Sequence, residues 1–189
     1  RLTAATSRSW SLLLAGPSGT GKSAFARHLA QRLGIEVEVR RGSDLLGPYV
    51  GETEAKIAAA FASAARRGAM LLIDEADGFL YRRDEAQRSW EVTLVNEMLC
   101  QMESLETPFV ATTNLLDRLD PATQRRFTMR VSFRAMTPRQ AEALFIARFG
   151  VVWPASEPLP LNQTPGDFAV VSARADLLGE RDPRQLVRW

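Results

Sequence analysis

The sequence predicts an α/β fold: a five-stranded parallel sheet covered by helices over residues 1–134, then a small, truncated helical part over residues 135–189. Three observations predict it. Short apolar runs suited to buried strands alternate with longer stretches of helical apolar spacing, which implies crossover connections and parallel pairing. Three of those runs end in chemistry-bearing residues: a glycine-rich turn after Ala15, the acids Asp74-Glu75, and Asn114. After Arg134 the alternation stops, and prolines open helices and punctuate loops instead.

Trp10-Ser11-Leu12-Leu13-Leu14-Ala15 is the first strand, and residues 24–33 are a helix with Phe25, Leu29, Ala30 and Leu33 at helical spacing. Between them, Gly16-Pro17-Ser18-Gly19-Thr20-Gly21-Lys22-Ser23 satisfies G-x-x-x-x-G-K-[ST] in the strand–turn–helix context that gives the pattern meaning. Its glycines let successive N–H groups curl inward on a polyphosphate, and the helix that starts near Ala24 adds the positive end of its dipole. Lys22 can reach the outer phosphates and the Ser23 hydroxyl can ligate Mg²⁺. Lys22 and Lys56 are the only lysines in a chain that otherwise uses arginine, which suggests that a compact ammonium is wanted there.

Residues 35–39 alternate apolar and charged, as an edge strand does, and residues 41–51 read as a loop. Residues 52–67 form a helix with Ile57, Ala60, Phe61 and Ala64 on one face, ended by Gly68. Residues 69–73 are a buried strand and residues 81–85 a charged loop. A helix follows to about Met102, striped by Trp90, Leu94, Met98 and Met102, with Cys100 expected as a buried structural thiol. Residues 109–113 and 129–133 complete the sheet, with a helical turn opened by Leu119-Asp120-Pro121 between them. Thr137-Pro138 opens a helix to Phe149, Thr164 or Asp167 starts another, and Asp182-Pro183 opens a last one that is cut short at Trp189.

Composition narrows the function classes. The net charge is +2 and no basic stripe is evident, which argues against nucleic acid as the partner. A single cysteine excludes an intrachain disulfide and suits a reducing compartment. No apolar run approaches the length of a membrane span, and the start is polar and unlike a signal peptide, so a soluble, cytoplasmic protein is expected. His28 has no evident partner and reads as a surface or packing residue.

Asp74, at a strand end, is placed to hold the Mg²⁺ met by Ser23, and Glu75 to polarise a water for attack on the terminal phosphate. Read without the phosphate loop, the two acids would merely cap a strand. Asn114 can orient the same water and a phosphate oxygen, or simply serve as a turn residue. Arg125 and Arg126 are far in sequence from the loop. They fit arginine fingers reaching a neighbouring copy's nucleotide, or equally a surface ion-pair cluster. Tyr49 and Val50 stand at a loop tip between glycines, either gripping something or anchoring the loop.

These motifs, from Gly16 to Ser23, Leu71 to Asp77, Ala111 to Asn114, Leu119 to Pro121 and Arg125 to Phe127, resemble AAA-type ATPases in order and spacing. The resemblance implies a P-loop NTPase domain that binds ATP or ADP with Mg²⁺. Lys22 and Ser23 would be the Walker A pair, Asp74 and Glu75 Walker B, and Asn114 the sensor 1 position. Arg125 and Arg126 become arginine fingers, in a segment most similar to the spastin and katanin branch. Pro48 to Glu52 looks like a pore loop whose Tyr49 and Val50 hold a threaded polypeptide, with a second pore loop at residues 81–85. Gly166, in Thr164-Pro165-Gly166-Asp167-Phe168, is similar to the lid-helix start that approaches the adenine, and no sensor 2 arginine is evident. The family pattern further implies a homo-oligomeric ring, a hexamer, remodelling a protein or peptide substrate. A nucleotide-gated scaffold without threading and a nucleic-acid remodeller such as a helicase loader are the alternatives. Only about nine residues precede the first strand, and the final lid helix is cut, so the chain reads as a trimmed piece of this module.

Overall fold

The computed structural model describes residues 9–49, 51–80, 89–115 and 119–188. Two compact units emerge, one of residues 1–16 and 22–132, the other of residues 17–21 and 133–189.

The first unit runs β1 (Ser11–Ala15), α1 (Lys22–Leu33), β2 (Val37–Arg41), α2 (Gly42–Leu45), α3 (Glu52–Arg67), β3 (Met70–Asp74), α4 (Asp77–Leu80), α5 (Ser89–Glu103), β4 (Phe109–Thr113), α6 (Pro121–Arg126), β5 (Met129–Ser132). The strands form one five-stranded sheet in the order β2-β3-β4-β1-β5, with every pair parallel. β1 and β4 are buried along their whole length, because a parallel sheet is covered on both faces. Register then decides what meets at the carboxyl edge. Ala15 lies opposite Thr113, and Ile73 opposite Ala111, so the residues that follow Ala15, Ile73 and Ala111 share one rim.

α3 buries Thr53, Ile57, Ala60, Phe61 and Ala64, and Gly68 ends it in the left-handed conformation, its N–H bonded to the Ala64 and Ala65 carbonyls. The core beneath gathers Leu13, Leu71, Ile73, Phe79, Met98 and Phe127 around Phe109, whose ring lies 5.0 Å from Phe61 and 5.9 Å from Phe127.

Several expectations change. α1 turns Lys22, Ala26 and Ala30 inward, while Phe25 is exposed. The lysine sets the face: once it points into the sheet edge, the residues four and eight further on must follow it. The edge strand is displaced to Val37–Arg41, and Glu38, not its valine neighbours, is its buried residue, held by Arg40, Ser63 and Arg67. The loop expected at residues 41–51 contains the short helix α2. Cys100 is exposed, because the buried stripe of α5 runs through Leu94, Val95, Met98, Leu99 and Met102 and passes it by. Val50, residues 81–85, the side chain of Trp90 and Trp189 lie outside the described residues.

The second unit holds α7 (Pro138–Phe149), α8 (Pro165–Leu178) and α9 (Pro183–Leu186). Its own core is Ala141, Phe145, Phe168, Ala175 and Leu186, with Phe149 and Trp153 each 4.9 Å from the Phe145 ring. Thr137 and Thr164 open α7 and α8 with reciprocal capping boxes, using Gln140 and Asp167, and Gly150 and Gly179 close them in the left-handed conformation. Among the described residues no helix is long and apolar enough to cross a membrane.

Candidate active site

Of the residues singled out from sequence, the rim of the first unit brings together Gly16, Lys22, Ser23, Asp74, Glu75 and Asn114. Gly16 donates its N–H to the Thr113 carbonyl at 3.1 Å, so the chain leaves β1 still tied to β4. Lys22 is 7% exposed, and its Nζ donates to the Gly16 carbonyl and to Asn114 Oδ1, both at 2.8 Å. Burial lowers the Lys22 pKa from its ordinary value, while the nearby charges of Asp74, Asp77 and Glu75 pull it back up. Phosphate oxygens would act in the same direction as those acids.

Ser23 donates its hydroxyl to Asp74 Oδ1 at 2.6 Å. The pair fits Mg²⁺ in chemistry, two hard oxygen donors side by side. Among the described residues no cluster of three or more His, Cys, Asp or Glu side chains could hold a metal by itself. The remaining ligands would therefore come from phosphate and water, as Mg²⁺ prefers. Bound there, the ion would neutralise charge on the outer phosphates.

Glu75 stands exposed one residue beyond β3, with φ 57°, in the left-handed region that side-chain-bearing residues enter at a cost of roughly 1–3 kcal/mol. Its N–H is received by the Thr112 hydroxyl at 2.9 Å, and that hydroxyl donates to Asp74 Oδ1 at 2.6 Å. Thr113, pointing to the opposite face, donates its hydroxyl to Asp77 Oδ1, which also accepts the Asn114 N–H at 3.1 Å. Asp77 and the two threonines are contributors that motif reading did not single out. Their one sequence signal is a pair of hydroxyls closing an otherwise apolar strand.

Residues 17–21 form the tip of the phosphate loop and belong to the second unit. Gly16, Gly19 and Gly21 have φ of 145°, 76° and 91°, conformations that favour glycine. Thr20 donates its hydroxyl to the Pro17 carbonyl at 2.8 Å, while Ser18 and Ala24 are exposed. Gly166, in the first turn of α8, donates its N–H to the Gly19 carbonyl at 2.9 Å. A Cβ on Gly166 would lie 2.7 Å from the Gly19 Cα, against backbone that cannot give way. Gly166→Ala is accordingly expected to push the loop from α8 at a cost of about 1–3 kcal/mol. The checks are a lower melting temperature and weaker ATP binding; an unchanged melt would mean that the contact is loose.

Arg125 and Arg126 end α6, whose first turn is capped by Asp120 and whose next residue, Phe127, is buried in the core. The two arginines differ. Arg126 is engaged by the Glu103 carboxylate and donates to the Leu99 carbonyl at 3.4 Å, whereas Arg125 is exposed with no partner among the described residues. The surface ion pair weighed from sequence is found at Arg126 and, among the described residues, not at Arg125.

Tyr49 is 78% exposed on a loop pinned from behind. The Gly47 N–H donates to the Thr53 hydroxyl at 2.9 Å, and Lys56 donates to the Leu46 carbonyl at 2.9 Å while pairing with Glu52. Both lysines of the chain therefore hold main-chain carbonyls, those of Gly16 and Leu46. His28 is exposed.

Comparison with known proteins agrees with this geometry. Residues 12–135 match the model of the ATPase family associated with various cellular activities, AAA. The rat ATPase family gene 2 protein homolog B is 36% identical over 143 residues, covering 70% of this chain and 19% of that protein. The Caenorhabditis elegans Tat-binding homolog 7 is 32% identical over 157 residues, 77% of this chain and 12% of that one. The mouse nuclear valosin-containing protein-like is 35% identical over 119 residues, 60% of this chain and 14% of that one. The chain thus spans less than a fifth of the length of these relatives. With buried Lys22, a paired serine and aspartate, and an exposed glutamate on one parallel-sheet rim, and with residues 12–135 matching the family model, the chain belongs to the AAA family of ATPases.

Proposed function

We propose that this chain hydrolyses ATP with Mg²⁺ at the interfaces of a homo-oligomeric ring, a hexamer, and couples each cycle to remodelling or threading of a protein substrate. The observation that carries the proposal is the Ser23–Asp74 hydrogen bond, 2.6 Å long, beside buried Lys22 bonded to Asn114. In this reading residues 16–24 cradle the phosphates, Ser23 and Asp74 hold the metal, Glu75 takes the proton of the attacking water, and Asn114 orients that water. Residues 135–189 act as the lid, with Gly166 at the base side of the nucleotide. Arg125 and Arg126 act on the next copy's nucleotide, and the likeness of their segment to the spastin and katanin branch belongs to the same proposal. The ring proposal requires turnover per chain to rise with protein concentration, and light scattering with ATP-Mg²⁺ to report the assembled mass. Turnover that is independent of concentration, from a monomer, would contradict shared sites.

Tyr49 supports threading over a nucleotide-gated scaffold, because a bare aromatic on a braced loop is suited to contact a partner. Tyr49→Ala is expected to abolish substrate processing while leaving ATP hydrolysis within about twofold, since among the described residues the exposed Tyr49 side chain has no hydrogen bond to the phosphate rim. Unchanged processing would favour the scaffold. Val50 is assigned the same role by its neighbourhood in sequence. A nucleic-acid remodeller would instead show salt-sensitive DNA binding.

A further inference from the structure

Thr112 is 1% exposed, and its hydroxyl is used in both directions. It donates to Asp74 Oδ1 at 2.6 Å and accepts the Glu75 N–H at 2.9 Å. The Thr112 carbonyl takes the next amide, that of Ala76, also at 2.9 Å. Both consecutive N–H groups of the turn that presents Glu75 therefore end on one residue of β4. The turn needs such a hold, because Glu75 sits at φ 57°, where nothing intrinsic to a glutamate keeps it. A buried threonine needed only for packing could be a valine, which fills the same volume but offers neither bond.

We propose that Thr112 is a positioning residue for hydrolysis: by tying the Asp74 carboxylate to the Glu75 main chain, it fixes where the base projects relative to the metal-side acid. The proposal rests on the roles given to Asp74 and Glu75 above. Thr112 is buried. It acts through the backbone, and a displacement of the base by about an ångström is enough to cost on the order of a hundredfold in rate.

The test compares Thr112→Val and Thr112→Ser in the full chain. Thr112→Val should lower kcat about ten- to a hundredfold with the KM for ATP within about twofold, and Thr112→Ser should recover most of the loss. Amide hydrogen exchange gives a second readout, independent of turnover. In the unsubstituted protein the Glu75 amide should be protected although the residue is exposed. In Thr112→Val that protection should be lost while the Ala76 amide, bonded to a carbonyl, keeps its own. Wild-type kcat in Thr112→Val, no recovery by serine, or a fast-exchanging Glu75 amide in the unsubstituted protein would each overturn the proposal. The exchange result on the unsubstituted protein stands even if the valine variant does not fold. If Thr112→Val is fully active while Glu75→Gln is inactive, only the positioning role falls. If the unsubstituted protein is itself no more active than Glu75→Gln, the ATPase proposal falls with it.

Discussion

Glu75→Gln is expected to bind ATP and fail to hydrolyse it, with turnover falling by about 10²–10⁴ as is typical when a general base is removed. The expectation separates binding from chemistry because different atoms serve the two. In the proposed roles binding falls to the loop glycines, Lys22 and Ser23, with Lys22 bonded to Gly16 and Asn114 and Ser23 bonded to Asp74. What places Glu75 is its main chain, through the Thr112 hydroxyl and the neighbouring Ala76 amide, and glutamine keeps that main chain intact. The amide side chain has the same reach but cannot take a proton. Equilibrium binding of a fluorescent ATP analogue should be preserved, and single-turnover hydrolysis should be slow. Full turnover by Glu75→Gln would remove the base assignment.

Much of this site was legible in the sequence because its parts are contiguous. Gly16 to Ser23 is one uninterrupted pattern, and Asp74-Glu75 and Asn114 each close an apolar run at the edge where parallel sheets present their chemistry. Long-range pairing was not legible. That Thr112 reaches Asp74 follows from the register that sets Ile73 opposite Ala111, and no local pattern encodes a register between strands more than thirty residues apart. The inward face of α1 escaped for a related reason. Apolar spacing offered Phe25, Leu29, Ala30 and Leu33, of which Ala30 is buried, but a buried lysine set the face, and Ala26 with Ala30 lets the helix lie close. Cys100 shows the limit of periodicity from the other side, since an apolar residue one step off a buried stripe faces solvent. The buried Glu38 on edge strand β2 has the same lesson in reverse: its charge is met by Arg40 and by Ser63 from α3, partners that only the folded chain brings within reach.

Arg125→Ala is expected to cost about 10³-fold or more in turnover, the scale on which an arginine supplied to a transferring phosphoryl group acts. The loss should appear only in the assembled state, because Arg125 projects from the end of α6 with no partner of its own among the described residues. Arg126→Ala should behave differently. Its guanidinium is already committed to Glu103 and the Leu99 carbonyl, so its removal also loosens α6 from the end of α5. An exposed ion pair contributes at most about 1 kcal/mol, so the accompanying fall in melting temperature should be small but measurable. Glu103→Ala supplies the control. It releases Arg126 without deleting a positive charge, and should lower the melting temperature slightly while leaving most of the turnover. Mixing Arg125→Ala with Glu75→Gln then tests whether sites are shared. In a mixed ring some interfaces pair an intact Glu75 with an intact Arg125 from the next copy, so activity should reappear although each variant alone is nearly inactive. No recovery at any mixing ratio, with light scattering showing that mixed assemblies form, would mean that each copy completes its own site.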